Sequence, residues 1–282
     1  MIDETIEEIK EMQTHSSSVV AIKAARSLQE LLDRDHATVE DFERDLERNA
    51  SALRRANPSH ASLYNAMQGI LRNVVGRADT VEESKSLTEE IIDRIVEDVE
   101  HGKSRAAENA VEIFDDGDVF LTHDYSSTVL EAVERAAAEG THMTAYVSEA
   151  RPRFLGRKTA RTLAAIDRVE THLLVDSAVG MVLEGCDRVV IGMDCIVDET
   201  LYNRVGTFPI AATANRLGVP VVVIGSGAKI VGDGFAFENE HRSPSEVSLE
   251  PLEDVVIENP AYDATPMELV DEVVTDSAVE SY

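Results

Sequence analysis

The runs Arg188-Val-Val-Ile191 and Val219-Pro-Val-Val-Val-Ile224 are β-branched and apolar. They lack the alternation that a half-exposed strand shows, which predicts parallel strands covered on both faces. The segment between them holds a polar stretch and a helix over about Pro209 to Leu217, and parallel strands need such a crossover. In an open α/β sheet, ligands sit beyond the carboxyl ends of the strands. That rule puts Asp194 and Asn203 to Thr207 beyond one strand, and Ser226 to Lys229 beyond the next.

The same alternation starts at Asp116-Gly117-Asp118. Strands are expected at Val119 to Thr122, Met143 to Val147 and Thr171 to Val175. Helices are expected at Ser127 to Glu139, Thr159 to Ile166 and Ala178 to Leu183, and a last strand near Asp254 to Ile257. Residues 111–282 therefore read as a Rossmann-like, doubly wound, mostly parallel α/β sheet that binds a ligand. Residues 1–110 carry no strand signal. Their apolar residues recur at helical spacing, as in Val39, Phe42 and Leu46 or Leu87, Ile91, Ile95 and Val99, and predict a helical domain of five helices. The Thr14 to Ser18 stretch supplies caps for the second of them. Neither G-x-G-x-x-G after a strand nor G-x-x-x-x-G-K-[ST] occurs, so no dinucleotide or nucleoside-triphosphate fingerprint is present and no cofactor is implied.

The formal charge of −28 is spread along the chain, and six of the 26 basic residues are lysines. A solvated, halophilic surface is the expectation, and direct nucleic-acid binding is disfavoured. Cys186 and Cys195 flank one strand, too far apart for a disulfide, and read as reduced, buried side chains. The acidic amphipathic start is unlike a signal peptide, and no apolar run reaches the roughly 18 residues of a membrane span. A cytoplasmic protein without membrane association is expected.

Polar residues follow each strand: His123 to Ser127, Ser148 to Pro152 with Gly156-Arg157-Lys158, Asp176 and Ser177, Asp194 with Asn203-Arg204, and Ser226 to Lys229. Arg151, Arg204 and Lys229 among neutral donors suit a phosphate or sugar phosphate. Ser126, Ser127 and Asp176 also read as helix caps, and Arg157 and Lys158 as solvated surface. Arg151, in an Arg-Pro directly after a strand, favours ligand binding. Asp194 reads either as an acid or base with a pKa raised by burial or as the clamp of its turn. No cluster has metal-site spacing.

SEARPRFLGRKTA (Ser148 to Ala160), GMD (Gly192 to Asp194), NRVGT (Asn203 to Thr207), NPAYDATP (Asn259 to Pro266) and the ELVDEVVTD that follows resemble one family. It comprises the alpha, beta and delta subunits of translation initiation factor two-B and the archaeal and bacterial isomerases of ribose 1,5-bisphosphate and methylthioribose 1-phosphate. The resemblance implies that isomerases use an Asp matching Asp194 and a Cys after the first strand. In this chain Asp124 occupies the Cys position. Other departures are His15-Ser16-Ser17-Ser18 at an Arg-Gly-rich phosphate loop, Asn57 before Pro58 where an Arg is usual, Leu155 for a Gln, and Arg204 for a Lys. Ligand-binding residues carried over are Arg151, Asn203, Arg204 and Lys229, with Ser126 beside them.

Because Leu121-Thr-His-Asp-Tyr-Ser-Ser127 is similar to the initiation-factor subunits, the first expectation is an archaeal, non-catalytic member of that branch. It would be a homo-oligomer, at least a dimer, with initiation factor two as protein partner and a phosphorylated sugar or nucleotide as ligand. The alternative is an aldose-ketose isomerase acting on ribose 1,5-bisphosphate or a related sugar phosphate. In that case Asp194 shuttles protons between sugar oxygens and Asp124 replaces the thiol as the base.

Overall fold

A computed structural model describes residues 2–11, 17–58, 60–232 and 234–282. Thr14, His15 and Ser16, read from the sequence as part of a cap and as the counterpart of a phosphate loop, lie outside the described residues. The chain divides into two compact units, Met1–Gly102 with Ala228–Glu238, and Lys103–Gly227 with Asn239–Tyr282.

The first unit is built from α1 (Ile2–Glu11), α2 (Ser17–Ser27), α3 (Val39–Ala56), α4 (Ala61–Val74) and most of α5 (Val81–Asn109). The helical stripes predicted from spacing bury Phe42, Leu46 and Leu53 of α3, Leu63, Met67 and Ile70 of α4 and Ile92 of α5 in one core. Thr38 caps α3 by accepting from the Asp41 amide at 3.3 Å, which satisfies one of the helix's unpaired first-turn donors. Residues 228–238 belong to this unit although they lie far along the chain. Asn65 Nδ2 donates to the carbonyls of Ala228 and Ile230 at 2.9 and 2.8 Å, and Tyr64 meets Phe235 edge-on with centroids 5.1 Å apart.

The division falls inside α5, before the boundary expected at residue 110. The physical reason is packing: Ala107 and Ala110, at the end of that helix, are fully buried in the core of the second unit with Phe114, Phe120 and Val133.

The second unit opens with β1 (Asp118–His123), α6 (Ser127–Glu139), β2 (Met143–Ser148), α7 (Gly156–Leu163), β3 (Val169–Leu174), α8 (Val179–Leu183) and β4 (Arg188–Gly192). After β4 the chain makes a short hairpin, β5 (Cys195–Val197) and β6 (Thr200–Arg204), before α9 (Thr207–Leu217) and β7 (Val221–Ile224). The two-residue strand β8 (Ile230–Val231) lies in the returning segment of the first unit. The chain ends with β9 (Tyr262–Pro266), β10 (Glu272–Val274) and β11 (Val279–Ser281).

The main sheet has the order β11-β10-β7-β4-β1-β2-β3 and is parallel except for β11. This is the doubly wound mostly parallel sheet expected, and β1 and β4 flank the point where the order reverses. The chain wound outward from β1 through β2 and β3, then returned to the other side of β1. Both runs that opened the sequence reading, in β4 and β7, are buried as predicted.

Two expectations fail in detail. Asp254 to Ile257 is not a strand; Val255 and Val256 are 55% and 83% exposed, and the last parallel strand is β10. Three apolar residues in a row do not make a strand without a neighbour to pair with, and Glu272 to Val274 finds β7. The polar stretch after β4 is also structured, since β6 pairs antiparallel with both β5 and β9.

Candidate functional site

Two strand ends define the site. β1 stops at His123 and is followed by Asp124, which takes a left-handed φ of 60°. β4 stops at Gly192, two residues before Asp194. Between them stands Arg204, the last residue of β6, whose Nε lies 3.5 Å from Asp124 Oδ2 and 3.8 Å from Asp194 Oδ2. One guanidinium thus serves two carboxylates at the switch point of the sheet, and both contacts are ion pairs longer than a good hydrogen bond.

Burial separates the two acids. The Asp124 side chain is 11% exposed and that of Asp194 35%. Desolvation pushes the Asp124 carboxyl above its ordinary value, against the lowering influence of Arg204 and His123, and the charge of Asp194 adds to the rise. Arg204 is held even more firmly protonated than usual. Burial alone would lower its pKa, but Asp194, Tyr262 and Asp124 together outweigh it.

His123 is wholly buried behind this pair. Its Nε2 lies 2.9 Å from the Val205 carbonyl and its Nδ1 2.6 Å from Ser148 Oγ. A carbonyl only accepts, so Nε2 donates to Val205, while Nδ1 shares a hydrogen with the serine hydroxyl. Gly206, at φ 110°, lies against the ring; a Cβ there would stand 2.7 Å from Cε1 and Nε2. His123 is therefore a strut joining β1, β2 and the Asn203 to Thr207 turn.

A cleft opens beside Asp124, lined by it with Arg204, Arg151, Arg153 and Arg242 among others. Four guanidiniums line this one cleft, in a chain of formal charge −28. The loop that carries Arg151 is fixed by Asp176, whose two oxygens accept from the Ala150 and Arg151 amides at 2.8 and 2.7 Å. Ala150 and Phe154 in this loop both have left-handed backbones. Arg151 donates from a terminal guanidinium nitrogen to the Val247 carbonyl at 3.0 Å, and Arg242 is forked onto Glu246 at 2.7 to 3.1 Å.

The structure brings Asp124, Asp194, Arg204 and Arg151 into one neighbourhood. Ser126 stands against the end of β4, its Oγ 2.6 Å from where a Cβ on Gly192 would lie, and Asn203 directly precedes Arg204. Asn203 is buried and donates to Thr207 Oγ1 at 3.0 Å, while Ser126 is the N-cap of α6 and accepts from the Val129 amide at 3.3 Å. The Ser226 to Lys229 stretch spans the division between units, and Lys229 belongs to the helical one. Asp176 is a backbone clamp for the loop rather than a cap for its own helix.

Arg153, Arg242 and Tyr262 were not singled out from the sequence. The Arg-Pro-Arg repeat was a signal for Arg153. Tyr262 lies inside the NPAYDATP motif without having been given a role, and nothing local marks Arg242, which arrives through the pairing of distant segments. Among the described residues no helix is long and apolar enough to cross a membrane.

The chain resembles known proteins along nearly its whole length. It is 33% identical to a ribose 1,5-bisphosphate isomerase of Haloterrigena turkmenica, over 96% of this chain and 88% of that protein. It is 31% identical to a ribose 1,5-bisphosphate isomerase of Methanocaldococcus jannaschii, over 98% and 90%. Among solved structures, the tetrameric eIF2B-beta2-delta2 complex from C. thermophilum contains a chain with the same fold. The TM-score is 0.78 at 20% identity, covering 99% of this chain and 90% of that one. The sequence profile of the Initiation factor 2 subunit family matches residues 13–279, and the chain belongs to that family.

Proposed function

We propose that the protein interconverts a phosphorylated aldose and ketose, with ribose 1,5-bisphosphate as the first substrate to test. The observation that carries this reading is the placement of Asp124 and Asp194 on one guanidinium at the switch point, beside an arginine-lined cleft. The names of the relatives support the same choice over the binding-only reading that Asp124, standing at the thiol position, suggests in the sequence.

The chemistry balances within the substrate. The C2 proton leaves to Asp124 and is returned to C1, while the O2 hydroxyl proton passes through Asp194 to the ring oxygen. The C1–ring oxygen bond opens, C2 becomes a carbonyl, and nothing is gained or lost. A buried carboxylate with a raised pKa is a stronger base than an ordinary aspartate, and Arg204 keeps its ionised form accessible. Arg151, Arg153 and Arg242 hold the phosphates.

Purified protein in concentrated KCl, assayed with ribose 1,5-bisphosphate, should form ribulose 1,5-bisphosphate, and Asp194→Asn should abolish this. Absence of turnover with retained binding would return the chain to the non-catalytic reading. A pull-down of initiation factor 2 at high salt tests the partner of that second reading.

Self-association is part of the proposal. Leu249 and Val256 are 90% and 83% exposed, with Leu252 and Val255 half-exposed beside them, an apolar run unusual for so charged a chain. Sedimentation at micromolar concentration should give at least a dimer, and Leu249→Glu should shift it toward monomer.

A further inference from the structure

Arg204 meets its two carboxylates from Nε at 3.5 and 3.8 Å, both longer than the hydrogen bonds that would fix the plane of the guanidinium. Something else must. Tyr262 stands directly across the antiparallel pair β6–β9 from Arg204, and the guanidinium carbon lies 4.6 Å from the centre of its ring. The ring is a rigid platform. Its backbone is tied on both sides to Asn239, whose Nδ2 donates to the Tyr262 carbonyl at 2.8 Å and whose Oδ1 accepts from the Tyr262 amide at 3.2 Å. The next residue, Asp263, accepts from the Gly206 and Phe208 amides at 2.6 and 3.1 Å and so fixes the turn that follows Arg204.

We propose that Tyr262 is a positioning residue: its ring face orients the Arg204 guanidinium so that a single positive charge is divided between Asp124 and Asp194, and this division sets the proton affinity of Asp124. The inference rests on the isomerase reading only for its consequence in turnover; the positioning itself is a property of the free protein. Stacking of a guanidinium on an aromatic face strengthens where the pair is desolvated, as it is here. Burial drives the Tyr262 hydroxyl up to about 12, with Asp194 reinforcing the rise against the lowering charge of Arg204 and its hydrogen bond to that oxygen, so the tyrosine is neutral across the working range and holds the guanidinium through its hydroxyl as well as its ring.

The groups that bear on this balance are few. Asp124 faces Arg204, His123 and Asp194, while Arg204 faces those two acids, Tyr262, Glu240 and, at longer range, Arg242. His123 is tied to Ser148 and Val205, and Arg242 to Glu240 and Glu246, so none of these is displaced when the ring is changed.

The test is the titration of Asp124, read by carbon NMR of selectively labelled aspartate and assigned with Asp124→Asn. Tyr262→Leu removes the platform and keeps the bulk. It should raise the proton affinity of Asp124 about tenfold, an upward shift of about one pH unit. Tyr262→Phe keeps the ring and removes the hydroxyl that Arg204 bonds, so a shift of less than a third of that assigns the orientation to the ring face, and a shift as large as that of leucine overturns it. Should the leucine variant not fold, Arg204→Lys decides the same point, because lysine keeps the charge on a flexible stem without the plane; the same upward shift is expected. An Asp124 titration unmoved in whichever of these folds overturns the proposal. The acid limb of kcat/KM should move with the titration in the same variants. If wild-type protein turns over no sugar phosphate, the isomerase reading fails while the NMR result still judges the positioning.

Discussion

Asp263→Ala should cost more than its place on a short strand suggests. α9 begins at Gly206, which has no side chain to cap the helix, and Asp263 supplies the missing acceptor from β9. One carboxylate oxygen takes two backbone amides, from Gly206 at 2.6 Å and Phe208 at 3.1 Å. Hydrogen bonds to a charged partner contribute about 1.5 kcal/mol or more each, and an anion at a helix N-terminus adds a few tenths. Because Asp263 is only half-buried, solvent returns part of this, leaving about 2–3 kcal/mol for the alanine variant. Asparagine keeps an acceptor oxygen and loses the charge, so Asp263→Asn should cost about 1 kcal/mol.

Urea unfolding at fixed high KCl, followed by far-ultraviolet circular dichroism, measures both. The alanine variant should also lower Tm by about 5–10 °C, given the usual entropy of unfolding for a unit of this size. A loss below about 1 kcal/mol for alanine, or equal losses for alanine and asparagine, would refute the reasoning, since the first denies the cap and the second denies that the acceptor matters.

Gly206→Ala should be strongly destabilising, by about 3 kcal/mol, because it combines a left-handed φ of 110° with a Cβ at 2.7 Å from the His123 ring; thermal melts check it. Asp124→Asn should abolish turnover yet raise Tm at neutral pH. The native state prefers the uncharged acid, so the stability linked to Asp124 is present at low pH and lost as pH rises through its raised folded pKa. For the same reason the acid limb of kcat/KM should lie above the ordinary aspartate range; a limb at about pH 4 would contradict the burial argument. Glu131 behaves oppositely. Burial would raise its pKa, but hydrogen bonds from Ser104, Arg135 and Lys103 outweigh it and bring it down to about 2. Its contribution is present above about pH 4.5 and lost as pH falls toward 2, and because its cationic partners are well exposed, Glu131→Gln should cost about 1 kcal/mol at pH 7 in a denaturant titration.

The parallel sheet was legible because buried strands and crossover helices leave opposite periodicities in the sequence. α6 falls at Ser127–Glu139, as expected, since Ser126 caps it and Gly140 ends it at φ 115°. The hairpin β5–β6 was not legible. Its turn uses Asp198 at φ 49° in place of a glycine, and Thr200 to Arg204 reads as polar because alternate residues face away from the core. The strand-end rule brought Asp124 and Asp194 together correctly, because it depends only on local elements. Arg204 and Tyr262 each lie in a family motif, but the ion pairs of the one and its contact with the other were not foreseeable. Both depend on β6 pairing with β9, about sixty residues away in the chain, and pairing over that distance leaves no periodic trace.

The return of residues 228–238 to the helical unit has a bearing on the order in which the protein is made. The five helices leave the ribosome before the sheet, yet the strand that accepts the Asn65 side chain and the phenylalanine that meets Tyr64 follow only after most of the sheet-forming sequence has been synthesised. A nascent chain that ends just after α5 therefore has an unfinished helical unit, with Asn65 and one side of Tyr64 awaiting their partners. The same holds for any expression fragment cut at the apparent domain boundary: it would omit a piece of the unit it was meant to isolate.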